Sequence, residues 1–189
     1  MKSNLIAIVG RRASIAVAVE TILFAVLTVI GLAAPSGAVL LAAFAVCIIL
    51  PASVVAAMAA AYLRSPKDRR IYGLLAFAAA ILYAPFCMGV YFVQIAVVAQ
   101  NPLGLPLEVL RLATFVPGSP AFALDMMGYA FLCLSTLAAA FTFTDPRDRA
   151  LRIMCIVHGF LVLPTLAAPI LSGVFSSPGG QANDFGSWV

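Results

Sequence analysis

Residues Ala38–Leu63 read AVLLAAFAVCIILPASVVAAMAAAYL, an apolar run without one Asp, Glu, Lys, Arg or His. It exceeds the roughly 20 residues that an α-helix needs to cross about 30 Å of hydrocarbon. Backbone polar groups in lipid are satisfied only in helices or closed barrels, and this run lacks the in–out alternation of a barrel strand. The stretch is therefore a transmembrane helix.

Working outward, four further stretches have the same character: Ala13–Ala34, Ile71–Val98, Ala121–Phe143 and Ile153–Val174. The expected fold is all-α, a polytopic transmembrane bundle of five spans forming one domain over residues 1–189. The first span follows Lys2, Arg11 and Arg12, as a signal peptide would, but its apolar core is longer than the roughly 7–15 residues of a signal h-region. It reads as an anchor, with cleavage near Ala33–Ala38 as the alternative.

Composition agrees. The chain is 64% hydrophobic and 10% charged, against about 45–50% and about 25% for soluble domains. Lys2, Arg11, Arg12, Arg64, Lys67, Arg69, Arg70, Arg147, Arg149 and Arg152 all fall on one side of the expected membrane, and Arg111 alone on the other. The positive-inside rule makes the first side cytoplasmic. The N-terminus is then expected inside. The connector Ala99–Pro120 and the tail Phe175–Val189 are expected outside, in a bacterial inner membrane. The net charge of +4 is thus topological and no sign of a nucleic-acid partner. Cys47, Cys87, Cys133 and Cys155 lie inside spans without metal-ligand spacing and read as packing residues, with Cys47–Cys87 a candidate close pair.

Two cytoplasmic loops echo each other, Ser65-Pro-Lys-Asp-Arg69 and Asp145-Pro-Arg-Asp-Arg149. One reading is a duplicated helical hairpin, as in some transporters. The other is shared loop chemistry, in which Pro stops a helix, Asp68 or Asp148 caps the next, and Arg holds the cytoplasmic side.

Ionisable residues within spans are functional candidates by default. Glu20 lies about 12 Å along its helix from Arg12, and His158 about 9 Å from Arg152, at 1.5 Å per residue. Similar depth makes Glu20 and His158 a candidate intramembrane pair that shares a proton or binds a cationic solute. The alternative is a structural partner for each, or snorkelling of Glu20. No cofactor is specified; the lone His158 could equally ligate a haem or a chlorin.

Asp125, one turn into the fourth span, reads first as a helix-dipole partner. With Gln94 and Arg111 it forms a candidate external polar cluster lining a vestibule; the competing account is ordinary solvation at the interface. Pro51, Pro85 and Pro164 each fall about 18–21 Å from the cytoplasmic ends of their helices, a shared level at which three kinks are expected. In the external connector, Pro106 begins a candidate interfacial helix carrying Glu108 and Arg111 at i, i+3.

At Tyr91-Phe-Val-Gln94 and Ala123-Leu-Asp-Met-Met-Gly-Tyr129 the chain resembles a family of uncharacterised bacterial multi-spanning membrane proteins. Its members carry a similar aromatic–Gln segment followed by Ala-Leu-(acid)-x-x-Gly-Tyr. The resemblance covers the third and fourth spans and implies no activity. It does imply a sixth span, beginning about where Trp188-Val189 stands.

Two functional expectations follow. The first is an accessory or scaffold subunit packed against other membrane protein subunits, or self-associated, because the chain shows no catalytic constellation and many small residues. The second is a small permease or proton-coupled transporter using Glu20 and His158. An intramembrane enzyme ranks below both, since Ser135-Thr136 and the cysteines have no base beside them in sequence.

Overall fold

Among the described residues there are seven α-helices, six of them within five stretches long and apolar enough to cross a bilayer. The structure is a computed structural model and describes residues 2–175. The tail beyond Phe175, with Trp188-Val189, lies outside the described residues, so the expected external tail and sixth span are not addressed by it. Helix α1 spans Lys2–Ala33, α2 Gly37–Arg64, α3 Arg70–Val93, α4 Leu107–Ala113, α5 Pro120–Ala140, α6 Arg149–Phe160 and α7 Val162–Phe175. No strand occurs among the described residues.

Helix α1 begins well before the expected Ala13. Arg11 and Arg12 are good helix formers, so they mark a change of environment and not a helix end. Both are exposed, and a Cβ on neighbouring Gly10 would lie 2.9 Å from Ala60 Cβ. That contact brings the arginines to the same end of the bundle as Arg64, the last residue of α2.

The helices pack as a row in chain order: α1 on α2, α2 on α3, α3 on α5, and α5 on α6 and α7. The interior of that row is α2, α3 and α5. Small residues set the seams. Ala76, Ala80 and Ala140 are fully buried, and a Cβ on Gly128 would sit 2.8 Å from Cys87 Sγ. Small side chains let helix backbones approach where lipid supplies no hydrophobic drive for association. Large apolar side chains point outward instead, as with Leu32 at 80% and Ile170 at 70% exposure. In water such faces would aggregate; in a bilayer they are solvated.

The two echoing loops each fold as one 3₁₀ turn, Lys67–Arg69 and Pro146–Asp148. Neither Asp68 nor Asp148 caps the following helix through its side chain, contrary to expectation. Asp68 instead lies 3.7 Å from Arg69, and Asp145 Oδ1 accepts from the Arg147 amide at 2.8 Å. A carboxylate placed before a Pro has the reach to satisfy the turn's own amide, and one inside the turn does not. Arg69 donates to the Phe141 carbonyl at 3.1 Å, just past α5, where a cation meets the negative end of the helix dipole.

Of the three prolines at which kinks are expected, two lie inside continuous helices and the third follows a helix break. α2 runs unbroken through Pro51, and α3 through Pro85. The fifth span breaks at Leu161, three residues before Pro164. Proline at 164 has no N–H for the Phe160 carbonyl and its ring crowds that group, which is where α6 stops.

Candidate functional site

The expected pairing of Glu20 with His158 is not made. Ser53 Oγ donates to Glu20 Oε1 at 2.9 Å across the α1–α2 seam, and the other carboxyl oxygen, Oε2, is buried without a partner. His158 Nδ1 lies 2.8 Å from Thr136 Oγ1 on α5. Glu20 therefore belongs to one end of the helix row and His158 to the other. Similar depth along the membrane normal says nothing of which helices are neighbours.

The external cluster is divided differently from expectation. Arg111, on α4, is exposed. Asp125 and Gln94 are buried at 0% and 2% exposure, so neither is a solvated interface residue. Nor does Asp125 cap α5. That role falls to Ser119, whose Oγ accepts from the Phe122 amide at 3.0 Å, with Pro120 at the first helical position.

Asp125 is instead the centre of a polar cluster inside the bundle. Tyr91 on α3 donates its hydroxyl to Asp125 Oδ2 at 3.1 Å and lies 3.4 Å, oxygen to oxygen, from the Tyr129 hydroxyl. Asp125 and Tyr129 stand four residues apart on α5, hence on one face. Cys47 and Cys87 fall in the core cluster around Tyr83 and Tyr91, both as free thiols. Tyr83 and Tyr129 bring their ring centroids to 6.0 Å. Oδ1 of Asp125 is buried with no partner. A carboxyl held by the Tyr91 hydroxyl and the Cys87 thiol, with its Oδ1 enclosed and unpartnered, is costly in a low-dielectric interior. The arrangement offers one open hydrogen-bonding position deep in the protein.

Gln94 does mechanical work beside it. It opens a π-helical turn, Gln94–Val98, that ends the third span, with the Ala99 amide reaching back to the Gln94 carbonyl at 2.9 Å. Its side chain donates to the Ala113 carbonyl at 2.7 Å and accepts from the Phe115 amide at 2.9 Å. Gln94 thereby straps the connector over the end of the bundle, with Phe115 set against Tyr91. Gln94→Leu is expected to strip partners from two backbone groups, each at about 1–3 kcal/mol, and to render the Ala113–Phe115 segment susceptible to limited proteolysis. A protease-resistant connector in that variant would count against the strap.

An apolar cavity of about 630 Å³ lies between α1, α2, the end of α3 and the strapped connector. Tyr91 lines it and bonds Asp125 with the same side chain, so it forms the wall between cavity and carboxyl. Among the described residues no group of three or more His, Cys, Asp or Glu is placed to hold a metal ion.

Tyr91, Tyr129, Ser53 and Thr136 were not evident as partners from the sequence alone. Tyr91 and Tyr129 do lie in the two short segments that carry the family resemblance, and those segments meet across the α3–α5 seam. No family model, curated protein or solved structure matches the chain.

Proposed function

We propose that this protein is a small multi-pass subunit of a larger membrane assembly, seated in a bacterial cytoplasmic membrane with its basic loops facing inward. One observation carries the reading: the helix row does not close. α1 leans on α2, and the α6–α7 pair leans on α5, leaving each end helix with most of its circumference apolar and free of neighbours among the described residues. The interior is built for packing, with small residues at the seams and polar groups largely engaged with one another.

Extraction of native membranes in a mild detergent, followed by sizing and mass spectrometry of the purified material, tests the proposal. Stoichiometric co-purification with other membrane-spanning chains is expected. Recovery as a monomer or homo-oligomer alone would overturn it. The inward placement of the basic loops has a separate test. A membrane-impermeant maleimide added to intact cells is expected to label Leu103→Cys, in the connector, and to leave Lys67→Cys unlabelled until the membrane is breached. The reverse pattern would invert the topology.

A second reading rests on Asp125. A buried intramembrane carboxyl with an open oxygen, one side chain away from a cavity, is a feature of proton-linked permeases as much as of structural cores. In that reading Asp125 takes the place expected of Glu20 and His158. Loss of a proton-dependent uptake in a folded Asp125→Asn variant would favour it over the subunit reading.

A further inference from the structure

The cavity has a shape and polarity of its own, independent of whether the chain serves as a subunit. It begins at the Pro35-Ser36-Gly37 corner between α1 and α2 and extends along α2 as far as Phe44. From Ser36 to Phe44 is about 12 Å of helix at 1.5 Å per residue. Phe24 and Gly31 form one wall, Val39 and Phe44 another, and Phe115 of the strapped connector a third. Its volume of about 630 Å³ falls within the roughly 300–1,000 Å³ of small-molecule sites.

The polar atoms in its walls are already engaged. Thr28 Oγ1 donates to the Phe24 carbonyl, Thr114 Oγ1 to the Leu110 carbonyl, and Gln94 holds the connector. No ionisable side chain other than the bonded Tyr91 lines the space, so its body suits an apolar chain. The mouth differs. Ser36 is the N-cap of α2 but makes no side-chain cap bond, and the first turn of α2 carries no acid. The open amides and the positive end of the dipole of a long helix thus face the mouth without compensation.

We propose that this groove holds one anionic phospholipid, with an acyl chain between α1 and α2 and its phosphate at the amides of Ser36–Val39. A lipid fits the position: the groove runs from a helix end, at the level of headgroups, inward along helices apolar enough to cross the bilayer. Complementarity of charge selects an anionic headgroup over a zwitterionic one.

The test is native mass spectrometry of the purified full chain titrated with phosphatidylglycerol or phosphatidylcholine in detergent. One retained phosphatidylglycerol per chain is expected, preferred over phosphatidylcholine by about tenfold, the scale on which a helix terminus and its hydrogen bonds act on an anion. Gly31→Leu fills the groove; a Cβ there lies 3.7 Å from Val39 Cγ1, an ordinary contact, so the helix pair is kept. It is expected to abolish retention. Ser36→Asp supplies both a cap and a negative charge, and is expected to lower phosphatidylglycerol retention about fivefold or more without loss of fold. Ser36→Asn caps without charge and is expected to retain more lipid than Ser36→Asp. Equal retention of the two lipids, or retention unchanged in both Gly31→Leu and Ser36→Asp, would overturn the assignment.

Discussion

Replacing Gly159 with leucine is expected to detach α6 from α5 and to lower stability by about 3 kcal/mol or more, the upper range for overpacking a close-packed seam. A Cβ at this position would lie 2.5 Å from Leu137 Cβ and 3.0 Å from Leu137 Cα, so the obstruction includes backbone and no rotamer relieves it. α6 and α7 have only α5 as a substantial helix neighbour outside their own pair, so no second interface absorbs the displacement. Gly89 is the control. Nothing lies within 4 Å of a Cβ there, and Gly89→Leu is expected to leave the unfolding temperature in detergent near that of the parent. Equal unfolding temperatures for the two variants would refute the claim that close backbone approach fixes this seam.

The second large effect is expected at Asp125. Asp125→Ala removes the acceptor of the Tyr91 hydroxyl and opens a void in a fully buried position, for a combined loss of about 2–4 kcal/mol. Asp125→Asn keeps the volume and an oxygen for Tyr91 to bond, and is expected to cost about 1 kcal/mol or less. Tyr91→Phe removes that donor together with its contact to the Tyr129 hydroxyl, and its effect is expected to be less than additive with that of Asp125→Ala, because the two side chains share one bond. Equilibrium unfolding of the two single variants and the double variant measures the coupling. Full additivity would mean that the tyrosine and the carboxyl are neighbours without being partners. Because Asp125→Asn is expected to preserve the fold, it also isolates any functional role of the carboxyl from its structural one.

These residues show where the sequence could be read and where it could not. The five crossings were legible because length and hydropathy are properties of a segment taken alone. Their ends were less so. α5 stops at Ala140, three residues before the expected Phe143, where Thr142 turns its amide and hydroxyl back to the Ala139 carbonyl and Arg69 from another loop takes the Phe141 carbonyl. Glu20 and His158 both lie within stretches apolar enough to cross a membrane, yet pairing them required knowing helix order, which depth along a single helix does not encode. Gln94 and Asp125 read as interfacial because each lies near a span's end. Asp125 is buried against Tyr91 of the neighbouring helix α3, and Gln94 is held under a connector whose bonds, Gln94 to Ala113 and Phe115, join residues about twenty positions apart. Arg111, on the same connector, stayed outside as a charged side chain should.

The chain-order packing of the helices bears on how such a protein is made. Each crossing rests chiefly on the one synthesised before it: α2 on α1, α3 on α2, α5 on α3, and the α6–α7 pair on α5. A nascent chain leaving the ribosome therefore finds its docking partner already in the bilayer at every stage. No span has to wait for a later one, and no seam has to be reopened to admit a distant segment. Contacts between successive segments have low loop-closure cost and form quickly. Biogenesis of this protein then reduces to a sequence of local docking events, with the Gly10–Ala60 approach the first seam to set and Gly159–Leu137 among the last.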